Sequence, residues 1–250
     1  MANPVLSTRG LFTPSQPGYA APGQVVEDRM TFDDVLAKTA ISLGGLFLVA
    51  AFAYYFMPSQ LLYPVGMIGG LAAFIVPFIV IRSRAASPAG NIAYAVAEGL
   101  LLAAFSKIFE QYYPGIIVQG VLGTFMAAAI TLIAYRYGGF RMSSKASKLL
   151  RLGMFAFVGV ALLNLVLFFF GVNLGLFPGP GQPVSILAWL LAIVGVALAV
   201  FSLVDDFQYI EAGVAAGAPR SQGWLAAFGL SVTMVWLYVN IIRILSYFRN

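Results

Sequence analysis

The chain has 250 residues, 61% of them hydrophobic and only 9% charged, with a formal net charge of +5. Soluble domains carry roughly 25% charged residues, so this composition excludes a soluble globular fold and marks an integral membrane protein. The absence of Cys and His removes disulfides, thiol nucleophiles, imidazole metal ligands and Ser–His catalysis, leaving proton chemistry to carboxylates, Lys and Tyr.

Residues 1–30 are rich in Pro, Gly, Ser and Ala and read as a disordered cytoplasmic tail; residues 31–250 read as the transmembrane domain. The tail lacks the basic start and apolar core of a signal peptide. A span needs about 20 apolar residues. Seven stretches qualify: 35–57, 61–81, 91–109, 116–135, 149–171, 184 to about 210, and 224–245. Thr31-Phe32-Asp33-Asp34 reads as a capped entry to the first, with Thr31 as N-cap and acids beside the positive helix end. In the second, Gly66-Met67-Ile68-Gly69-Gly70 allows close helix approach, and Pro77 removes a backbone donor. The third and sixth stretches carry acids, so six spans plus a re-entrant segment is the alternative count.

Loop charge sets the orientation. Arg82 and Arg84 follow span two. Arg136, Arg141, Lys145, Lys148 and Arg151 follow span four. The positive-inside rule places both loops, and with them the N-terminus, in the cytoplasm. Arg243 and Arg249 then fall near the opposite side, against the rule. The same rule explains the basic run 136–151 without invoking nucleic acid.

Acids inside spans are costly and mark candidate functional sites. Glu98 lies within span three, with Tyr94 four residues earlier on the same face and able to donate to it. Its two readings are a carboxylate facing a water-filled cavity and a buried structural acid. Asp205 and Asp206 end the apolar run of span six and point about 100° apart. Asp205 reads as a polar helix end in the headgroups, Asp206 as an inward-facing group. In span seven Thr233, Trp236, Asn240 and Arg243 share one stripe at helical spacing, which puts that stripe in a protein interior or against a pore. Arg243 reads as snorkelling to the interface. No span centre offers a Lys for retinal, and no Walker or dinucleotide glycine pattern occurs.

Several ordered motifs form a pattern: Tyr94-Ala-Val-Ala-Glu98-Gly99-Leu100, Phe105-Ser106-Lys107-Ile108-Phe109-Glu110, Tyr113-Pro114-Gly115-Ile116 and Gln119-Gly-Val-Leu-Gly-Thr124. Val204-Asp205-Asp206-Phe207-Gln208-Tyr209-Ile210-Glu211, Trp224-Leu-Ala-Ala-Phe-Gly-Leu230 and Val235-Trp236-Leu237-Tyr238 continue it. Over roughly residues 32–248 the chain resembles the Bax inhibitor-1 family of transmembrane proteins, in its bacterial, YccA-like branch of actinobacterial type.

The resemblance implies an all-α integral membrane fold of seven transmembrane helices, two three-helix layers around a central C-terminal helix. It also implies a pH-sensitive Ca²⁺ leak in a bacterial plasma (inner) membrane, not an enzyme and with no resident cofactor. In that pattern one Asp on helix six and one on helix seven share a proton, and an Arg on helix two assists. Two close carboxylates raise one pKa, which suits such a switch. The helix-six Asp falls on Asp206, the helix-seven position on Asn240, and the helix-two Arg has its nearest match in Arg82. Asn shares no titrating proton, so the gate is altered and Asn240 is left as a neutral hydrogen-bond partner of Asp206, latching helix six to seven. Asp206 and Glu98 are the implied oxygen contacts for Ca²⁺ or another cation. The alternative is a non-transporting regulator that binds a membrane protease or stress-response partner.

Overall fold

A computed structural model describes residues 29–83, 88–172 and 174–250, without the side chains of 81–83 and 168. The expected tail therefore lies outside the described residues up to residue 28. Seven long helices follow one another: α1 (Phe32–Phe56), α2 (Ser59–Ser83), α3 (Pro88–Tyr112), α4 (Ile116–Arg136), α5 (Ser144–Phe169), α6 (Ile186–Ala215) and α7 (Gly223–Phe248). A short 3-10 turn, Arg220–Gln222, precedes α7. All seven are long and apolar enough to cross a membrane. No strand forms among the described residues; one isolated antiparallel bridge joins Arg29 and Pro219.

The helix starts follow local chemistry. Thr31 caps α1, its Oγ1 accepting the Asp34 N–H at 3.1 Å. At α4 the side-chain cap comes from upstream. Glu110 accepts the N–H of Gly115 at 2.5 Å and of Ile117 at 3.1 Å. Gly115 takes a left-handed φ of 82°, which a residue with Cβ adopts only at a cost. Two helices outrun their apolar cores. α5 starts at Ser144 rather than 149, and α6 runs on to Ala215 rather than 210. Charged residues end the hydropathy signal but not the backbone ladder.

The chain divides into two compact units. The first holds the described residues to Ala104 together with Asp206–Ser231. The second holds Phe105–Asp205 and Val232–Asn250. In the first, small residues set the packing. A Cβ on Gly69 would stand 2.7 Å from the Ala97 carbonyl oxygen, and one on Gly99 would stand 2.9 Å from that of Leu46. α2 and α1 thus meet α3 at backbone distance, as small residues permit in membranes. Among the spans α7 is the most enclosed, with 78% of its most apolar window buried against 6% for α5.

Candidate functional site

In the first unit, a polar column links α1, α3 and the start of α7. Asn91, Tyr94 and Glu98 lie on one face of α3, at steps of three and four residues. Ser42 donates to Asn91 Oδ1 at 3.1 Å, and Asn91 Nδ2 donates to the Trp224 carbonyl at 3.1 Å. Tyr94 packs edge-on against Phe228, with centroids 4.9 Å apart. Tyr94 also hydrogen-bonds the Glu98 carboxyl, the pairing their spacing predicts. Glu98 is 7% exposed and Asp206, on α6 in the same unit, is fully buried.

One turn before Ser42 on α1, Lys38 closes the column. Its Nζ donates to Asp34 Oδ2 at 2.6 Å and to the Arg220 carbonyl at 2.7 Å, and lies 5.5 Å from the Trp224 ring centroid. Arg220 Nε completes the cluster on Asp34 Oδ1 at 3.1 Å. Met30 N–H donates to the Ala218 carbonyl at 2.8 Å, so the entry to α1 is tied to the α6–α7 connection.

In the second unit, Asp205 is 3% exposed and accepts from Ser147 Oγ of α5 at 2.7 Å. It is neither exposed nor a helix end: α6 runs on past it to Ala215, and α5 begins early enough to bring Ser147 against it. Asn240, 3% exposed, donates through Nδ2 to the Trp236 carbonyl at 2.9 Å. Its buried Oδ1 has no hydrogen-bond partner among the described residues and occupies the place a Gly195 side chain would take. Trp236 Nε1 donates to the Gly195 carbonyl at 3.3 Å. Asn240 and Trp236 thus seat α7 on α6 at Gly195, about three turns before Asp206 along α6.

Thr233, Asn240 and Arg243 are all buried, as their common stripe requires. Arg243 does not snorkel. It is 9% exposed, its Nη2 donates to the Tyr247 hydroxyl at 3.1 Å, and its guanidinium carbon lies 4.4 Å from the Phe177 ring centroid. The α5–α6 connection carries Phe177 over it, closing the route to solvent. Arg82 lies in the last turn of α2, and its side chain falls outside the described residues. Among the described residues no three Asp or Glu side chains gather to hold a metal ion.

A family model described as Bax inhibitor 1 like matches residues 3–250. The chain belongs to that family. Comparison with curated proteins gives no match. As a Bax inhibitor 1-like protein with seven apolar helices it is a multi-pass integral membrane protein, and the lipid bilayer is its solvent. Ser42, Asn91 and Lys38 are the polar groups that sequence reasoning missed. A helical-face comparison carries part of the signal, because Lys38 and Ser42 are four apart on α1.

Proposed function

We propose that this Bax inhibitor 1-like chain is a passive cation leak pathway, with Ca²⁺ as cargo, in a bacterial plasma membrane and with a cytoplasmic N-terminus. The observation that carries this reading is the pair of buried carboxylates, Glu98 and Asp206, within one unit of a seven-span protein. An acid within a span is costly to keep and is by default a candidate for an ion route. Carboxylate oxygens are also the ligands Ca²⁺ prefers. In this scheme Glu98 and Asp206 make passing contacts with the ion rather than a resident site. Asn240 is a neutral latch between α6 and α7, supported by its seat at Gly195. Arg82 supplies a counter-charge near the cytoplasmic side, a role that rests on the resemblance.

The test is the purified protein in liposomes loaded with a calcium dye. The wild type is expected to pass Ca²⁺ above the empty-liposome rate, with Asp206→Asn and Glu98→Gln both slower. Unchanged flux in Asp206→Asn removes that residue from the path. No flux above empty liposomes, with a stoichiometric membrane protein co-purifying from native membranes, replaces the channel by the regulator reading.

A further inference from the structure

Arg243 is an unusual group for its surroundings. Nine-tenths of its surface is buried near the end of α7. A guanidinium carries five N–H donors. Among the described residues the guanidinium of Arg243 hydrogen-bonds one neutral hydroxyl, that of Tyr247, and lies over one aromatic face, that of Phe177. No carboxylate pairs with it there. A buried cation without a counter-charge is strongly disfavoured, and a hydroxyl and a ring offset only part of the desolvation.

The next observation lies beside it. Tyr247 lines a pocket of about 500 Å³, together with Gly181, Gln182, Trp189 and Asn250. All of these residues belong to the second unit. The pocket is far larger than a halide needs and falls within the range that holds small organic groups. The Tyr247 oxygen accepts from Arg243, so its own proton remains free to donate, and a guanidinium on that oxygen makes it a stronger donor. Trp189 lines the same pocket and stacks edge-on against Tyr247 and Phe248, at 5.5 and 4.8 Å between centroids. Exposed Arg249 adds a second positive charge at this end of α7, holding the Pro114 carbonyl at 2.9 Å.

We infer that this pocket is a phosphate site for a lipid headgroup: the phosphate lies against the Tyr247 hydroxyl and the Trp189 indole N–H, and Arg243 stands behind the phenol as counter-charge. Donor-bearing residues lining a pocket, one of them bonded to a buried cation, suit an oxyanion. The lipid source follows from position. Trp and Tyr at a span end mark headgroup depth, and Phe248 and the exposed Ile186 and Leu187 beside the pocket are apolar surfaces that acyl chains cover. The inference does not depend on ion flux.

The experiment is native mass spectrometry of the full chain, delipidated and then offered phosphatidylglycerol or diacylglycerol of identical acyl chains. The wild type should retain one phosphatidylglycerol and no diacylglycerol. Arg243→Gln and Tyr247→Phe should each weaken retention about tenfold, and Arg243→Lys should keep most of it. Arg243→Gln alone reports nothing if it fails to fold, so Tyr247→Phe, which keeps the ring and loses the hydroxyl with its bond from Arg243, is the deciding variant, read beside its melting curve. Equal retention of the two lipids, or unchanged retention in Tyr247→Phe, overturns the site. Displacement of the lipid by millimolar inorganic phosphate overturns the lipid source and assigns the pocket to soluble phosphate.

Discussion

Ser147 of α5 donates to Asp205 of α6 at 2.7 Å, so the first acid of the Asp205–Asp206 pair is a tether between two helices. A hydrogen bond to a charged group is worth about 1.5–3 kcal/mol. Ser147→Ala should therefore lower the thermal midpoint of the purified protein in detergent by several degrees. Asp205→Asn keeps an acceptor for the Ser147 hydroxyl and should lower it less. Equal losses would show that the charge, not this bond, is what matters at 205.

Asn240 and Gly195 form a second contact of the same kind, made by shape rather than charge. Any side chain at 195 meets Asn240 Oδ1 and stands 3.2 Å from the Phe157 ring edge. Gly195→Ala should cost about 1–3 kcal/mol, the usual range for overpacking. Adding Asn240→Ala should recover part of that loss, because neighbouring substitutions couple. Thermal melts of the two single variants and the double one measure the coupling. An additive result would mean that the two residues do not share the space.

Glycines in α1 and α3 give a contrast within one unit. A Cβ at Gly99 would meet the Leu46 carbonyl and the Val49 side chain at 2.9 Å, whereas one at Gly45 meets nothing within 4 Å. Gly99→Ala should destabilise by about 1–3 kcal/mol. Gly45→Ala should leave stability unchanged or raise it by up to about 1 kcal/mol through helix propensity. Melting curves collected side by side decide this.

Asp34 holds two cations, Lys38 and Arg220. Its side chain and that of Lys38 are 14% and 10% exposed. Removing one partner of a fully buried pair costs about 3–5 kcal/mol, and the partial exposure here places Asp34→Ala near the lower end. Lys38→Ala made on top should cost less than it does alone, since it removes the stranded charge. A double-mutant cycle reads this directly, and the loss should change little between low and high salt, because buried pairs are weakly screened.

Much of the fold was legible because membrane spans write themselves as apolar runs. The Thr31 cap, the Tyr94–Glu98 contact and the buried stripe on α7 were legible too, since each depends on spacing along one helix. What stayed hidden depends on residues far apart in sequence. Asp205 looked like a solvated helix end because nothing near it shows that Ser147 will arrive. Arg243 looked like a snorkelling residue because its nearness to the chain end says nothing about Phe177, which a connection folds over it. Lys38 was hidden for a related reason: a lone Lys early in an apolar run gives no hint of the Arg220 carbonyl it will cap. Glu110, near the end of α3, gives no sign in sequence of the two N–H groups of the α4 entry that it caps.

The contacts between the entry of α1 and the α6–α7 connection set an order on biosynthesis. Lys38 Nζ and the Arg220 carbonyl are 182 positions apart in sequence, and the Asn91 amide likewise waits for the Trp224 carbonyl. Six helices must leave the ribosome before these groups find their partners. Long-range closures of this kind are late and slow. The first helix therefore enters the bilayer with Lys38 held by Asp34 alone and with Ser42 waiting for Asn91 of α3, and both charges gain Arg220 only when the α6–α7 connection arrives. A chain truncated before Arg220 should insert its early spans yet fail to become protease-resistant.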